Sequence, residues 1–168
     1  MTKVETEVFI AAPCAKVWEL VMDWSSYPSW NPYYARIEGD AKPGARLRVQ
    51  IQTPGLPPAT LKPTLWYLTP ERYCSWHGNL LTSLVLDTEH YFELQPSGAN
   101  GCRFRHGERF SGLAAKLFGG LIDRLVRPRF AAMNEALRAR AEGQALTPTE
   151  TTTPKLGAAR AANPALGN

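Results

Sequence analysis

Long apolar runs are missing from this chain. No stretch of its 168 residues approaches the roughly 20 consecutive apolar residues of a membrane-spanning helix, so stable membrane insertion is not expected. Met1-Thr2-Lys3-Val4-Glu5 carries an acid and no apolar signal core, and the expected location is the cytoplasm. Cysteine is scarce. Cys14, Cys74 and Cys102 show no metal-ligand spacing and cannot all pair, which reads as reduced, partly buried thiols. Strong charge of one sign is absent too. The net charge is +4 and the sequence pI about 9.1, with no nucleic-acid reading motif, so no nucleic-acid partner is expected. Gly-x-Ser-x-Gly, a Walker-type loop and paired Cys/His ligands are all missing, which removes the usual grounds for a nucleophile elbow, a phosphate cradle, a cofactor or a metal. There is no internal repeat, and nothing in the sequence sets an oligomeric state.

What is present is an ordinary globular composition, 44% hydrophobic and 20% charged, sufficient for one domain with a real core. Its most informative feature is order: a run of strands closed by one long helix, predicted over 113–142. Ile122, Val126, Phe130, Met133 and Leu137 repeat at helical spacing and draw one stripe. Leu117, Leu121 and Leu125 add a neighbouring stripe, so a broad apolar face is expected to lie against the sheet with a cavity between them. Arg124, Arg127, Arg129, Arg138 and Arg140 read as a solvated face, with weak attraction to anionic lipid or an acidic ligand as the alternative. Gly119-Gly120 is a weak point, and Pro128 is expected to kink the helix.

Ahead of the helix, residues 3–11 alternate as a strand, with Val4, Thr6, Val8 and Ile10 on one side. Pro13 opens a short helix, and Asp23 is placed to cap a second short helical piece. Further strands are expected over 33–38, 46–52, 60–68, 73–78, 84–94 and 102–110, with loops at 54–58 and 96–101. From Gly143 onward apolar periodicity ends, and the segment 143–168 reads as a disordered tail.

The hairpin over 84–110 carries the sharpest polar signal. Residues two apart share a strand face. Leu86, Thr88, His90, Phe92 and Leu94 form one face, and Cys102, Phe104, His106, Glu108 and Phe110 form the other strand's matching face. Centring the hairpin on its loop sets Phe92 near Phe104, His90 near His106 and Thr88 near Glu108. The apolar members aim this face inward, so His90, His106 and Glu108 need partners or pKa shifts toward neutrality. They read as a self-satisfied buried cluster, as polar contacts for a ligand, or as an acid/base pair. Two His and one Glu could also hold zinc, but the spacing does not demand it. The five tryptophans are many for one small domain. Trp30 and Trp76 read as core packing or as pocket walls.

Taken in order, these pieces resemble a known family. Val8-Phe9-Ile10-Ala11-Ala12-Pro13 with Val17-Trp18 is similar to the opening of the START-like, helix-grip superfamily. Asp23, Tyr27, Trp30-Asn31-Pro32, Gly39, Pro70-Glu71-Arg72, Trp76 and His90-Tyr91-Phe92-Glu93-Leu94 continue the match. So do His106-Gly107-Glu108, Phe110-Ser111-Gly112 and Phe130-Ala131-Ala132-Met133-Asn134-Glu135-Ala136-Leu137. The chain resembles bacterial SRPBCC domain proteins of the polyketide cyclase/dehydratase-like branch over about residues 3–142.

The resemblance implies an α+β helix-grip fold: a seven-stranded curved antiparallel sheet wrapped around a long C-terminal helix, with two short helices after the first strand. The domain would span 1–142. The expected function is binding of a hydrophobic small molecule (a lipid, an aromatic or a polyketide-like compound) in a cavity between sheet and helix. Trp30, Trp76, Phe92, Phe104, Leu117, Leu121 and Leu125 would form its walls, and His90, His106 and Glu108 would orient the ligand. One alternative is a cyclase or dehydratase whose His or Glu moves a proton beside a carbonyl. Another is a non-catalytic stress-response or interaction module with a vestigial pocket. Catalytic residues are not shared across this superfamily, so binding leads over enzymatic activity.

Overall fold

The computed structural model describes residues 1–52, 57–80 and 82–143. Part of the expected 54–58 loop and all of the expected tail after Gly143 lie outside the described residues. Strand β1 (Thr2–Ile10) buries Val4, Val8 and Ile10 and turns Phe9 outward, as its alternation requires. Helix α1 (Cys14–Met22) follows Pro13 and buries Cys14, Val17 and Val21; a 3-10 helix (Trp24–Ser29) comes next. Asp23 does not cap it through its side chain. Its Oδ1 accepts the Ser25 hydroxyl at 2.5 Å, while its backbone carbonyl accepts Ser26 N–H.

Strands β2 (Tyr34–Glu38), β3 (Arg48–Ile51), β4 (Ala59–Leu61), β5 (Thr64–Thr69), β6 (Tyr73–Leu80), β7 (Leu86–Pro96) and β8 (Cys102–Ser111) precede helix α2 (Leu113–Ala141). Among the described residues they form a five-stranded sheet, β1-β8-β7-β6-β5, and a three-stranded sheet, β2-β3-β4. The single seven-stranded sheet is therefore corrected to eight strands in two sheets. The cause is Pro63. It sits inside the expected 60–68 strand, has no N–H to give a ladder, and separates β4 from β5. The seam is still bonded: Leu47 N–H donates to the Pro63 carbonyl at 2.8 Å, and Leu65 N–H to the Ala45 carbonyl at 2.9 Å.

The thiols are also corrected. Cys14, at the start of α1, and Cys102, at the start of β8, form a disulfide with Cα atoms 5.0 Å apart. Eighty-eight residues separate them in sequence, so only the fold reveals that the two element starts meet. Cys74 is free and buried, and burial pushes its thiol up to about 12.

Helix α2 begins at Gly112, whose φ of 91° and close approach to the Leu84 and Val85 carbonyls both require glycine. Its backbone breaks at Phe118 (φ −119°, ψ 15°), next to Gly119-Gly120, and Pro128 stays within helical geometry. The expected kink thus lies ten residues earlier, where the helix wedges against β1: a Cβ on Gly119 would collide with Thr2, and the Thr2 hydroxyl donates to the Ala115 carbonyl at 3.1 Å. Phe130, Met133, Asn134 and Leu137 are buried, and Ile122 and Val126 pack at the edge of the core. Leu117, Leu121 and Leu125 are exposed. At each level they lie about 100° around the helix from the Ile122–Val126–Phe130 stripe, and the sheet covers only that stripe.

Candidate functional site

The inner face of β6, β7 and β8 sets the site. The hairpin register differs by two residues from the expected one: Pro96 pairs with Cys102, because β7 runs on to Pro96 and the loop closes over Ser97–Gly101. A shift of two keeps every side chain on its face but changes its neighbour. His90 stands opposite Glu108, His106 opposite Phe92, Phe104 opposite Leu94 and Thr88 opposite Phe110. On the other side of β7, Trp76 stands opposite His90.

Side-chain geometry follows from that register. The Glu108 carboxylate lies 3.9 Å from His90 Nδ1. Trp76 stacks on the His90 ring, with centroids 4.4 Å apart and planes 18° apart. The two imidazoles meet edge to face at 4.8 Å. Phe92 lies 5.0 Å from the His106 ring and 5.6 Å from Phe104. The hydroxyl of Tyr34, on β2, lies 3.1 Å from the His90 ring nitrogens. From α2, Phe130 stacks on His106 at 3.7 Å.

A short hydrogen-bond chain fixes the state of His106. The Thr6 hydroxyl donates to the His106 carbonyl at 3.4 Å, so its oxygen is free to accept the Asn134 amide N–H at 3.0 Å. Asn134 Oδ1 then accepts from His106 Nδ1–H at 3.2 Å. A neutral imidazole protonated on Nδ1 presents a bare lone pair on Nε2. That Nε2 is fully buried and has no hydrogen-bond partner among the described residues.

Electrostatics keep the cluster uncharged at the imidazoles. Burial lowers His90 to about 3. Burial, and then the neighbouring His90, hold His106 well below its ordinary value, against the pull of Asn134 and the Phe130 carbonyl. Burial raises Glu108 to about 7, partly offset by the Thr88 hydroxyl. The cluster therefore holds two neutral bases beside one carboxyl that titrates near neutral pH. No group of three or more His, Cys, Asp or Glu among the described residues is placed to hold a metal ion.

The structure brings His90, His106, Glu108, Trp76, Phe92 and Phe104 together. Trp30 is buried one layer away, against Tyr27, with its indole N–H donating to Ser26 Oγ at 3.1 Å. Leu121 and Leu125 lie on the surface, and Leu117 lines an open groove of about 710 Å³ between Met1–Lys3 and the start of α2. Sequence reasoning missed Tyr34, Asn134 and Thr6, and read Phe130 only as core. Asn134 had a readable signal: it falls four residues after Phe130 on the buried side of the helix, where a polar side chain needs a partner. Tyr34 had none, because nothing local aims β2 at β7.

Comparison with known proteins agrees with this architecture. A family model described as polyketide cyclase/dehydrase and lipid transport matches residues 1–142. No curated protein matches the sequence. A START superfamily protein from Mycobacterium smegmatis has a similar structure, with a TM-score of 0.68, 19% identity, and coverage of 85% of this chain and 99% of that one. The Zhui aromatase/cyclase from Streptomyces sp. R1128 has a TM-score of 0.67 and 20% identity, covering 83% and 93%. A norcoclaurine synthase from Thalictrum flavum has a TM-score of 0.63 and 16% identity, covering 83% and 92%. At these identities the likeness concerns the fold.

Proposed function

We propose that this chain, which belongs to the polyketide cyclase/dehydrase and lipid transport family, binds a mainly apolar small molecule that carries a hydroxyl-type donor. Trp76, Phe92, Phe104 and Phe130 flank the apolar body, and the donor faces His106 Nε2. The observation that carries this reading is the orphaned lone pair on that nitrogen. A buried acceptor without a partner costs about 1–3 kcal/mol, and an apolar residue of similar shape would avoid that cost. A ligand O–H at this point removes it. Tyr34 and Glu108, both close to His90, supply further polar contacts for an oxygen function on the same molecule.

A second reading rests on Glu108. A carboxyl raised to about 7 can take and return a proton at neutral pH. With His90 3.9 Å away, the pair fits acid/base chemistry beside a carbonyl. The names of the aromatase/cyclase and the norcoclaurine synthase support enzymatic activity by analogy of fold alone.

Native mass spectrometry of gently purified protein, followed by organic extraction, tests the first reading. A co-purifying apolar molecule with a hydroxyl group supports it, and retention of that molecule by a His106→Phe variant overturns the role of Nε2. Glu108→Gln separates the two readings. The variant keeps the shape and hydrogen-bonding capacity of the side chain but cannot exchange a proton. Loss of turnover with binding intact supports the enzyme; weakened binding alone supports the carrier.

A further inference from the structure

Helix α2 is apolar on two sides in its first half. Ala115, Ile122, Val126 and Phe130 face the core. Leu113, Leu117, Phe118, Leu121 and Leu125 face away, with Leu117 66% and Leu121 54% exposed. Leu84 and Val85 extend this surface, since their carbonyls accept the Leu113 and Ala114 N–H groups at 3.0 and 2.9 Å. Leu84 is itself 82% exposed. An exposed apolar helix stripe of this extent is normally covered by a partner.

Charge identifies the cover. From Leu113 to Phe130 the helix carries Lys116, Arg124, Arg127 and Arg129 against one carboxylate, Asp123. Asp123 accepts from Arg127 Nε at 3.1 Å. Helical spacing places Arg124 within the outward leucine face and Lys116 along its border, while Arg127 is held by Asp123 and donates to the Glu5 carbonyl at 2.7 Å, and Arg129 Nε is buried. Such an apolar stripe with cations in it and beside it matches the acyl–headgroup boundary of an anionic bilayer, where leucines enter the acyl region and the long stems of Lys116 and Arg124 reach back to phosphates. Two copies meeting through this face would oppose like charges, which disfavours self-association.

We infer that the outward face of α2 from Leu113 to Arg129, together with Leu84 and Val85, docks on the surface of anionic phospholipid membranes. The inference stands on the exposed face and does not depend on what the interior binds.

Co-sedimentation of the full chain tests it. One set of vesicles is pure phosphatidylcholine, and the other is equal parts phosphatidylcholine and phosphatidylglycerol. The wild type is expected to pellet with the anionic vesicles, less so at high salt, and weakly with the neutral ones. Leu117→Asp/Leu121→Asp and, separately, Lys116→Glu/Arg124→Glu should each lower the bound fraction at least about tenfold. Near-ultraviolet circular dichroism confirms that each variant stays folded. A wild type that stays in the supernatant overturns the inference, as does equal binding by both folded variants. Self-association that both variants abolish, without vesicle binding, also overturns it and assigns the face to a second copy.

Discussion

Glu108 stands directly across the β7–β8 ladder from His90, with 3.9 Å between carboxylate and imidazole, yet burial rather than attraction sets both groups. An ion pair would lower the carboxyl and raise the imidazole. Here the carboxyl rises to about 7 and the imidazole falls to about 3, so both favour their neutral forms.

The pH dependence of stability follows from these directions. The raised Glu108 contributes stability that is fully present below its unfolded value of 4.5 and is lost as pH rises through about 7. That loss amounts to about 3 kcal/mol. His90 runs the other way: its contribution is present above 6.5 and is lost as pH falls toward 3, and lowered His106 acts in the same direction. Two imidazoles outweigh one carboxyl between these limits. Stability should therefore peak between about pH 6 and 7. Glu108→Gln should remove the decline on the alkaline side, and urea unfolding across about pH 4 to 8 measures both effects.

Asn134 joins the helix to two strands through His106 and Thr6. Asn134→Leu keeps the branched outline of the side chain but leaves His106 Nδ1 without its acceptor. A loss of about 1–3 kcal/mol in urea unfolding is expected, with a change in the His106 tautomer visible in long-range proton–nitrogen spectra. An unchanged tautomer would show that Asn134 does not set it.

The Cys14–Cys102 bond ties α1 to β8 across 88 residues. Loop-closure entropy predicts a contribution of about 4.6 kcal/mol. Reductant, or the Cys14→Ser/Cys102→Ser variant, should lower the urea midpoint accordingly. Intact-mass analysis after alkylation under non-reducing conditions should find one reactive thiol per chain once unfolded, that of Cys74.

Gly107 faces Tyr91 across the same ladder, and a Cβ there would collide with the phenol ring. Gly107→Ala should cost about 1–3 kcal/mol by overpacking. It should also disturb the Tyr91 hydroxyl that donates to Glu5 and the Arg109 guanidinium 4.5 Å over the ring.

The features legible in sequence were those with a local period. Alternation placed Val4, Val8 and Ile10 inward, and His90, His106 and Glu108 on one inner face. Helical spacing found the Phe130–Met133–Leu137 stripe. Features that depend on long-range contact escaped. The Cys14–Cys102 bond joins element starts that are neighbours only in space, and Tyr34 reaches His90 from a strand 56 residues earlier. The leucines at 117, 121 and 125 misled because periodicity gives a stripe without saying which stripe the sheet covers. Pro63 ends β4 against the β-propensity of the residues around it, because it has no N–H for the ladder.

The central claim is that His106 Nε2 receives a donor from a bound apolar molecule. Its most direct test is a titration of the protein with 2-naphthol, a neutral aromatic alcohol, followed by long-range proton–nitrogen spectra of the histidine rings. The account predicts saturable binding that shifts His106 Nε2 most and His90 less, and that is lost in His106→Phe. Saturable binding with both imidazoles unmoved, or no binding at all, would contradict it.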